Sequence, residues 1–459
     1  MIKALKPHAN YKPVPSSWVH RVPEHWDVRK LRTLIKPRNE RNNPTLPLLS
    51  VAREKGVFIR SSGDDNHNVI PEDLASYKVA RKGCLVVNKM KAWQGSMGVA
   101  PCDGIVSPAY FVYDLAVSNR LFGQALLRSR PYVAHFAQAS DGVRIGQWDL
   151  SIDGMREIPV VLPPPDEQTA IIRFLDHANR RIEQFIRAKR KLIALLNEQK
   201  QLIVLDTIRR GLDRDVLTKE SNVPWLGRIP AHWDVLRAKA LIREVDERSL
   251  AGKEELLSVS HITGVTPRSE KNITMFKAQS YAGYKLCQPG DLVVNTMWAW
   301  MGALGVSRHA GIVSSAYAVY RPKVQLPLLG EYLEMLLHTQ PYLSNFMSRS
   351  TGMRASRLRL YPDQFLSIPV VVPPLSEQWQ IVGAIAKATS GIVIGVRRAE
   401  AEVALLREYR ARLVADVVTG QLDVREAARA IPAVDGSDEA SDGEGPAEVD
   451  ETDHEAESA

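Results

Sequence analysis

The sequence states itself twice. "RVPEHWDV" from Arg21 returns as "RIPAHWDV" from Arg228, which sets Trp26 and Trp233 207 positions apart (233 − 26). The same offset joins "LVVNKMKAWQGSMGV" from Leu85 to "LVVNTMWAWMGALGV" from Leu292, and "GIVSPAYFVY" from Gly104 to "GIVSSAYAVY" from Gly311. A small insertion stretches it to 210 between "IPVVLPPPDEQ" at Ile158 and "IPVVVPPLSEQ" at Ile368 (368 − 158). Matches in fixed order at a near-constant offset mean a tandem duplication, and a unit of roughly 200 residues is domain-sized rather than a solenoid repeat. The 459 residues therefore divide into similar bodies, not one core.

Each copy runs through the same order. A Trp- and Pro-marked opening leads into short runs such as "CLVVN", "GIVSPAYFVY" and "IPVVLP", rich in Val, Ile and Tyr, which predict strands. Within that region "SNRLFGQALLRSRPYVAHFAQ" and "LLGEYLEMLLHTQPYLSNFMS" predict helices. A long helical stretch closes each copy. In the first, Asp166 is expected to cap it after Pro164 and Pro165, with Glu167 in the first turn; in the second, Ser376 precedes Glu377.

The long stretches are heptad-patterned. Ile171, Leu175, Ala178, Ile182, Phe185, Lys189, Leu192, Leu196, Gln199 and Ile203 follow alternating steps of four and three, interrupted in character only by Lys189 and Gln199. In the second copy the seam runs through Ile385, Thr389, Ile392, Val396, Ala399, Val403, Leu406, Arg410, Leu413 and Val417, weakened by Gly383, Gly391 and Gly395. At 1.5 Å per residue each helix would be about 60 Å long, and neither can bury its stripe alone. The expected fold is therefore mixed α+β: two α/β globular regions, each followed by a long helix, the helices pairing as an antiparallel coiled coil with pseudo-two-fold symmetry. The expected boundaries are an N-terminal arm (1–20), a first globular region (21–165), a long helix (166–211), a linker (212–227), a second globular region (228–375), a second long helix (376–420) and an acidic tail (421–459).

Charge is distributed unevenly. From Asp435 to Glu457 there are 11 acidic residues and no Lys or Arg, so the formal +8 conceals about +19 on the remainder (8 + 11), an excess suited to a polyanionic partner. The tail has few apolar residues and is expected to stay disordered. No apolar run reaches bilayer-spanning length, the N-terminus lacks a signal-peptide core, and Cys84, Cys102 and Cys287 have no metal-ligand spacing, so a cytoplasmic protein with reduced thiols is expected.

Chemistry-bearing signatures are lacking in the sequence. It holds no "NPPY"-type tetrapeptide and no Gly-x-x-x-x-Gly-Lys-[Ser/Thr] loop; "AGKEE" at Ala251 lacks both the upstream glycine and the hydroxyl. The acidic-x-Lys pattern of nucleases occurs at Glu198–Lys200, on the expected strut, and the 11 histidines show no metal spacing. His25 and His232, repeated in the openings, point to a structural or partner-facing role. No catalysis is expected of this chain alone, and no metal site.

The openings "WVHRVPEHWDVRKL" and "WLGRIPAHWDVLRA", the closings "IPVVLPPPDEQTAII" and "IPVVVPPLSEQWQIV", and the long helix after each resemble the specificity subunit of type I restriction–modification enzymes, from about Tyr11 to Leu422. The resemblance implies target-recognition domains that each read half of a bipartite double-stranded DNA site, with the paired helices setting the spacer. It also implies modification (methyltransferase) subunits, two per chain, and ATP-dependent restriction subunits as partners; S-adenosylmethionine, ATP and Mg are expected on them and none on this chain.

The duplication offers an internal control for locating base contacts. Positions identical in both copies cannot distinguish different half-sites, so Asn88/Asn295, Trp93/Trp300 and Arg144/Arg354 point to scaffold or phosphate roles. Aligned positions of different chemistry are candidate readers. Lys89, Lys91 and Gln94 face Thr296, Trp298 and Met301; Gln147 and Asp149 face Arg357 and Arg359; Arg53, Glu54 and Lys55 face His261, Ile262 and Thr263. Arg and Lys suit guanine, Gln adenine, and acids cytosine.

Overall fold

A computed structural model describes residues 5–60, 74–142, 148–270, 280–323, 328–352 and 358–432. These form two compact units, 5–190 with 400–432, and 191–399.

The first unit is built on a four-stranded antiparallel sheet in the order Ile35–Pro37, Tyr110–Leu115, Leu85–Asn88, Met97–Val99. The second has the same order with Ile242–Val245, Ala318–Pro322, Leu292–Val294 and Leu304–Val306. The repeated phrases explain the match, since Val112 pairs with Val86 as Val319 pairs with Val293. Helices Arg120–Leu127 and Arg130–Gln138 accompany the first sheet, and Gly330–Leu337 and Gln340–Arg349 the second, where the sequence predicts them.

The reason for stating one phrase twice is mechanical. In each unit the opening phrase is the strand partner of the closing phrase: Asp27–Lys30 pairs with Pro159–Leu162, and Asp234–Arg237 with Pro369–Val372. The closing Glu then grips the opening. Trp26 donates to Glu167 Oε1 at 3.2 Å and His25 Nε2 lies 2.7 Å from Oε2; Trp233 and His232 meet Glu377 Oε2 at 2.9 and 2.7 Å. Both indoles are fully buried, so each carboxylate satisfies a donor that would otherwise be orphaned. The neighbouring Gln secures the middle helices: Gln168 accepts from the Asn119 backbone N–H and donates to the Pro163 carbonyl, as Gln378 does with Leu329 and Pro373. Tyr132 and Tyr342 donate to the carbonyls of Pro159 and Pro369 in the closing strands.

The long helices span Pro165–Arg210 and Leu375–Val418, and each contributes one part to each unit. The first begins at Pro165, so Asp166 lies inside the first turn instead of capping it; proline is suited to that position because its missing N–H has no partner there anyway. Within the first unit the helices run antiparallel, with Glu183 on Arg410 at 3.1 Å and Lys189 on Glu402 at 2.6 Å. Two polar residues of the expected seam, Lys189 and Arg410, are thus the ionic partners of the pairing. Ile171, Leu175, Ala178, Ile182, Ile385, Thr389, Ala399, Val403, Leu413 and Val417 are buried, and Leu196, Ile203, Ile392, Val396 and Leu406 are half-buried.

The seam is corrected at Phe185 and Leu192, which are 54% and 42% exposed, while Ile186 is buried. A strict 4-3 alternation averages 3.5 residues per turn, and an α-helix at 3.6 drifts about 20° per heptad away from it. Burial instead takes the consecutive four-residue steps Ala178, Ile182, Ile186, a local break in the alternation of the stutter kind. By length and composition alone the second long helix would also pass for a membrane span, although the sequence shows no apolar run of that length. Beyond it, Asp423 bridges to Lys6, and Val424 and Ala428 enter the first unit's core.

Candidate nucleic-acid interface

In both units the hairpin that follows the second sheet strand carries the aligned candidates. Its turn is built from the shared residues. Asn88 Oδ1 accepts from the Met90 N–H and the Trp93 indole donates to the Met90 carbonyl; Asn295, Met297 and Trp300 repeat both bonds at 3.2 and 3.1 Å. Gly95 and Gly302 then take φ of 88° and 89°, a left-handed conformation that suits glycine. Asn88/Asn295 and Trp93/Trp300 thus build the same turn in both units.

The differing residues meet in pairs. Lys89 forms a salt bridge with Asp149 at 2.9 Å, and the Leu150 N–H donates to the Lys89 carbonyl. In the second unit the Leu360 N–H donates to Thr296 in the same way, and Arg359 Nε donates to Thr296 Oγ1 at 3.1 Å. A Lys–Asp pair in one copy thus occupies the place of a Thr–Arg pair in the other, so the two sequence differences form one exchange. Thr296 is itself buried, its hydroxyl donating to the Ala316 carbonyl. It is corrected from a direct reader to a residue that aims Arg359, because no base edge can reach a buried hydroxyl. Arg359 also lies over the Tyr361 ring at 5.8 Å.

A second hairpin carries Arg53, Glu54 and Lys55 between strands Leu49–Ala52 and Gly56–Ile59. All three side chains are exposed, Lys55 lying over Phe58 at 5.3 Å, and Arg128 holds the turn by donating to the carbonyls of Arg53 and Glu54 at 2.7 and 2.8 Å. In the second unit His261, Ile262 and Thr263 are exposed at the same turn. Arg53, Gln94 and Trp93 line one open groove of about 780 Å³ with Arg128, Arg130 and Asp176. Burial pushes the Asp176 carboxyl above its usual range. Lys91 is exposed, and Trp298 is half-buried with its ring 5.9 Å from that of Trp300. Arg144, Gln147, Arg354 and Arg357 lie outside the described residues.

Sequence reasoning missed Trp148 and Arg128. Trp148 packs on Trp93 with ring centroids 5.1 Å apart, giving the first unit an aromatic pair where the second has Trp298 and Trp300. The signal was present, a tryptophan in one copy facing Leu358 in the other. Arg128 carried no signal, since its role as a brace depends on the hairpin folding against its helix.

No protein-family model matches the sequence. Among solved structures, a chain from a structure described as the basis of complex assembly and conformational transition of the type I R-M system aligns at a TM-score of 0.58, with 16% identity, over 87% of this chain and 99% of that one. The fold is shared. The HsdS subunit from Thermoanaerobacter tengcongensis (15% identity, 87% of this chain and 98% of that one, TM-score 0.39) and the type I restriction–modification S subunit from M. genitalium (12%, 85% and 96%, 0.31) are also similar.

Proposed function

We propose that the chain is the DNA-specificity subunit of a type I restriction–modification assembly. Each globular region reads one half of a bipartite site, and the helix pair sets the spacer and docks methyltransferase subunits. S-adenosylmethionine, ATP and Mg belong on those partners and on the restriction subunits, and the chemistry is theirs. The observation that carries this reading is the paired exchange at one place in a duplicated scaffold: Lys89–Asp149 against Thr296–Arg359. Identical supports holding different hydrogen-bonding groups are what two unlike half-sites require. Exposed apolar side chains on the long helices, Phe185, Leu192, Leu195, Ile394 and Leu405, supply surface for partner helices. The thiols of Cys84, Cys102 and Cys287 are all free, in keeping with work on DNA inside the cell.

The test is a domain exchange in the assembled complex. Replacing residues 22–165 with the corresponding region of a related protein should change one half-site and preserve the other and the spacer, read by sequencing genomic methylation. Insertion of whole helical turns near Leu196 should change the spacer alone. The rival reading, a scaffold that organises proteins without touching DNA, predicts no methylation change and no steep salt dependence of DNA binding.

A further inference from the structure

Among the described residues, the first unit contains a side-chain cluster that its duplicate lacks. We propose that His8, His25 and Glu167 bind a divalent transition metal of the zinc class, with Asp423 supporting the ligand shell. One donor atom from each of the three residues lies within 4.8 Å of the others. The decisive observation is His8. Its side chain is 3% exposed, Nδ1 is buried without a hydrogen-bond partner, and Nε2 stands 3.7 Å from Glu167 Oε1, too far for a hydrogen bond. A buried imidazole whose ring nitrogens face two carboxylates without bonding either is an unfinished arrangement.

A bound ion completes it. Two imidazoles and a carboxylate are a donor set for zinc-like ions, whereas Mg and Ca favour all-oxygen sites. Zinc holds such donors at about 2.0–2.2 Å, so side-chain rotations on the order of an ångström bring the three onto one centre, leaving a position for water. With Nε2 of His8 ligating, its Nδ1–H points to Asp423 Oδ2, now 3.9 Å away; a carboxylate behind a ligating histidine fixes the tautomer and ring orientation. Trp26 holds Glu167 Oε1 from the other side, and Arg425 holds Asp423. The ligands come from three separate segments: the chain before strand Tyr11–Pro13, the opening phrase and the first turn of the long helix. The ion would therefore fasten the N-terminal arm to the base of the first unit.

The second unit is a built-in control. Its His232, Trp233 and Glu377 reproduce the grip, but the position aligned with His8 is Asp215 (215 − 8 = 207), and among the described residues no second such cluster forms.

The full-length chain is dialysed to equilibrium against ZnCl₂ and its metal content measured. One zinc per chain is expected, lost in His8→Gln and His25→Gln and retained in His232→Gln. Asp423→Asn, which leaves the ligands in place, should weaken binding roughly 10- to 100-fold. Cobalt(II) should give visible ligand-field bands that His8→Gln lacks. Stoichiometric zinc retained by a folded His8→Gln, or lost equally from His232→Gln, overturns the proposal. Should His8→Gln fail to fold, the wild-type chain decides: no retained zinc and no cobalt bands end it.

Discussion

Replacing Glu377 by alanine tests the grip that closes the second unit. Trp233 is fully buried and its Nε1–H donates to Glu377 Oε2 at 2.9 Å, so the substitution leaves an indole donor without a partner. Orphaning a buried donor costs about 1–3 kcal/mol. Loss of a carboxylate from the first turn of a helix adds about 0.3–1 kcal/mol. His232 contributes little, because at 44% exposure its ring can turn to water. The sum is about 1.3–4 kcal/mol, or roughly a 10- to 1000-fold rise in local opening. Hydrogen exchange read by mass spectrometry should therefore quicken across strands Asp234–Arg237 and Pro369–Val372, while Asp27–Lys30 and Pro159–Leu162 of the first unit keep their protection. Glu377→Gln retains an acceptor for the indole and should cost about 1 kcal/mol or less. Exchange unchanged in the alanine variant, or a glutamine variant as damaging as alanine, would falsify the assignment of the carboxylate as the indole's necessary partner.

Three further outcomes follow from the same geometry. Arg359→Ala should relax one base of a single half-site by about 1–3 kcal/mol, and Thr296→Val, which removes the hydroxyl that aims Arg359, should relax the same base; a binding selection that finds uniform weakening across all sequences would make Arg359 a phosphate contact. Phe185→Glu and Leu192→Glu should leave thermal unfolding of the isolated chain within about 0.5 kcal/mol of wild type, as surface changes do, yet reduce co-purification with the methyltransferase subunit, and intact assembly would remove these residues from the docking surface. Burial pushes the Cys287 thiol up to about 11, and because the raised value favours the protonated form, its thiolate appears only as pH climbs towards that range. Disulfide-exchange labelling near pH 8 should thus run at least about a hundredfold slower at Cys287 than in a free cysteine peptide, and equal rates would show that the buried environment does not govern this thiol.

How far the molecule was legible in its sequence depends on whether a feature is local or assembled. The duplication, the strand runs and the long helices were visible because periodicity and repetition are properties of the chain itself. Phe185 failed for a local reason of another kind: a strict heptad template has no place for the consecutive four-residue steps Ala178, Ile182, Ile186 that burial follows. Comparison of the copies located Lys89, Asp149, Thr296 and Arg359 as differing positions, but not that they differ as contacting pairs, because the contact spans 60 residues in one copy and 63 in the other. His8 lies further still from sequence reading. Its partners Glu167 and Asp423 stand 159 (167 − 8) and 415 (423 − 8) positions away, and no spacing rule relates residues joined only when the arm, the helix start and the C-terminal bridge close on one another. Repetition discloses what two copies share, and difference discloses where they diverge in purpose; the aligned Asp215 would have marked His8 as a divergence worth explaining. What the sequence lacks is the third dimension that turns an unmatched histidine into a ligand, and that dimension comes from packing around Trp26, whose burial brings Glu167 into reach.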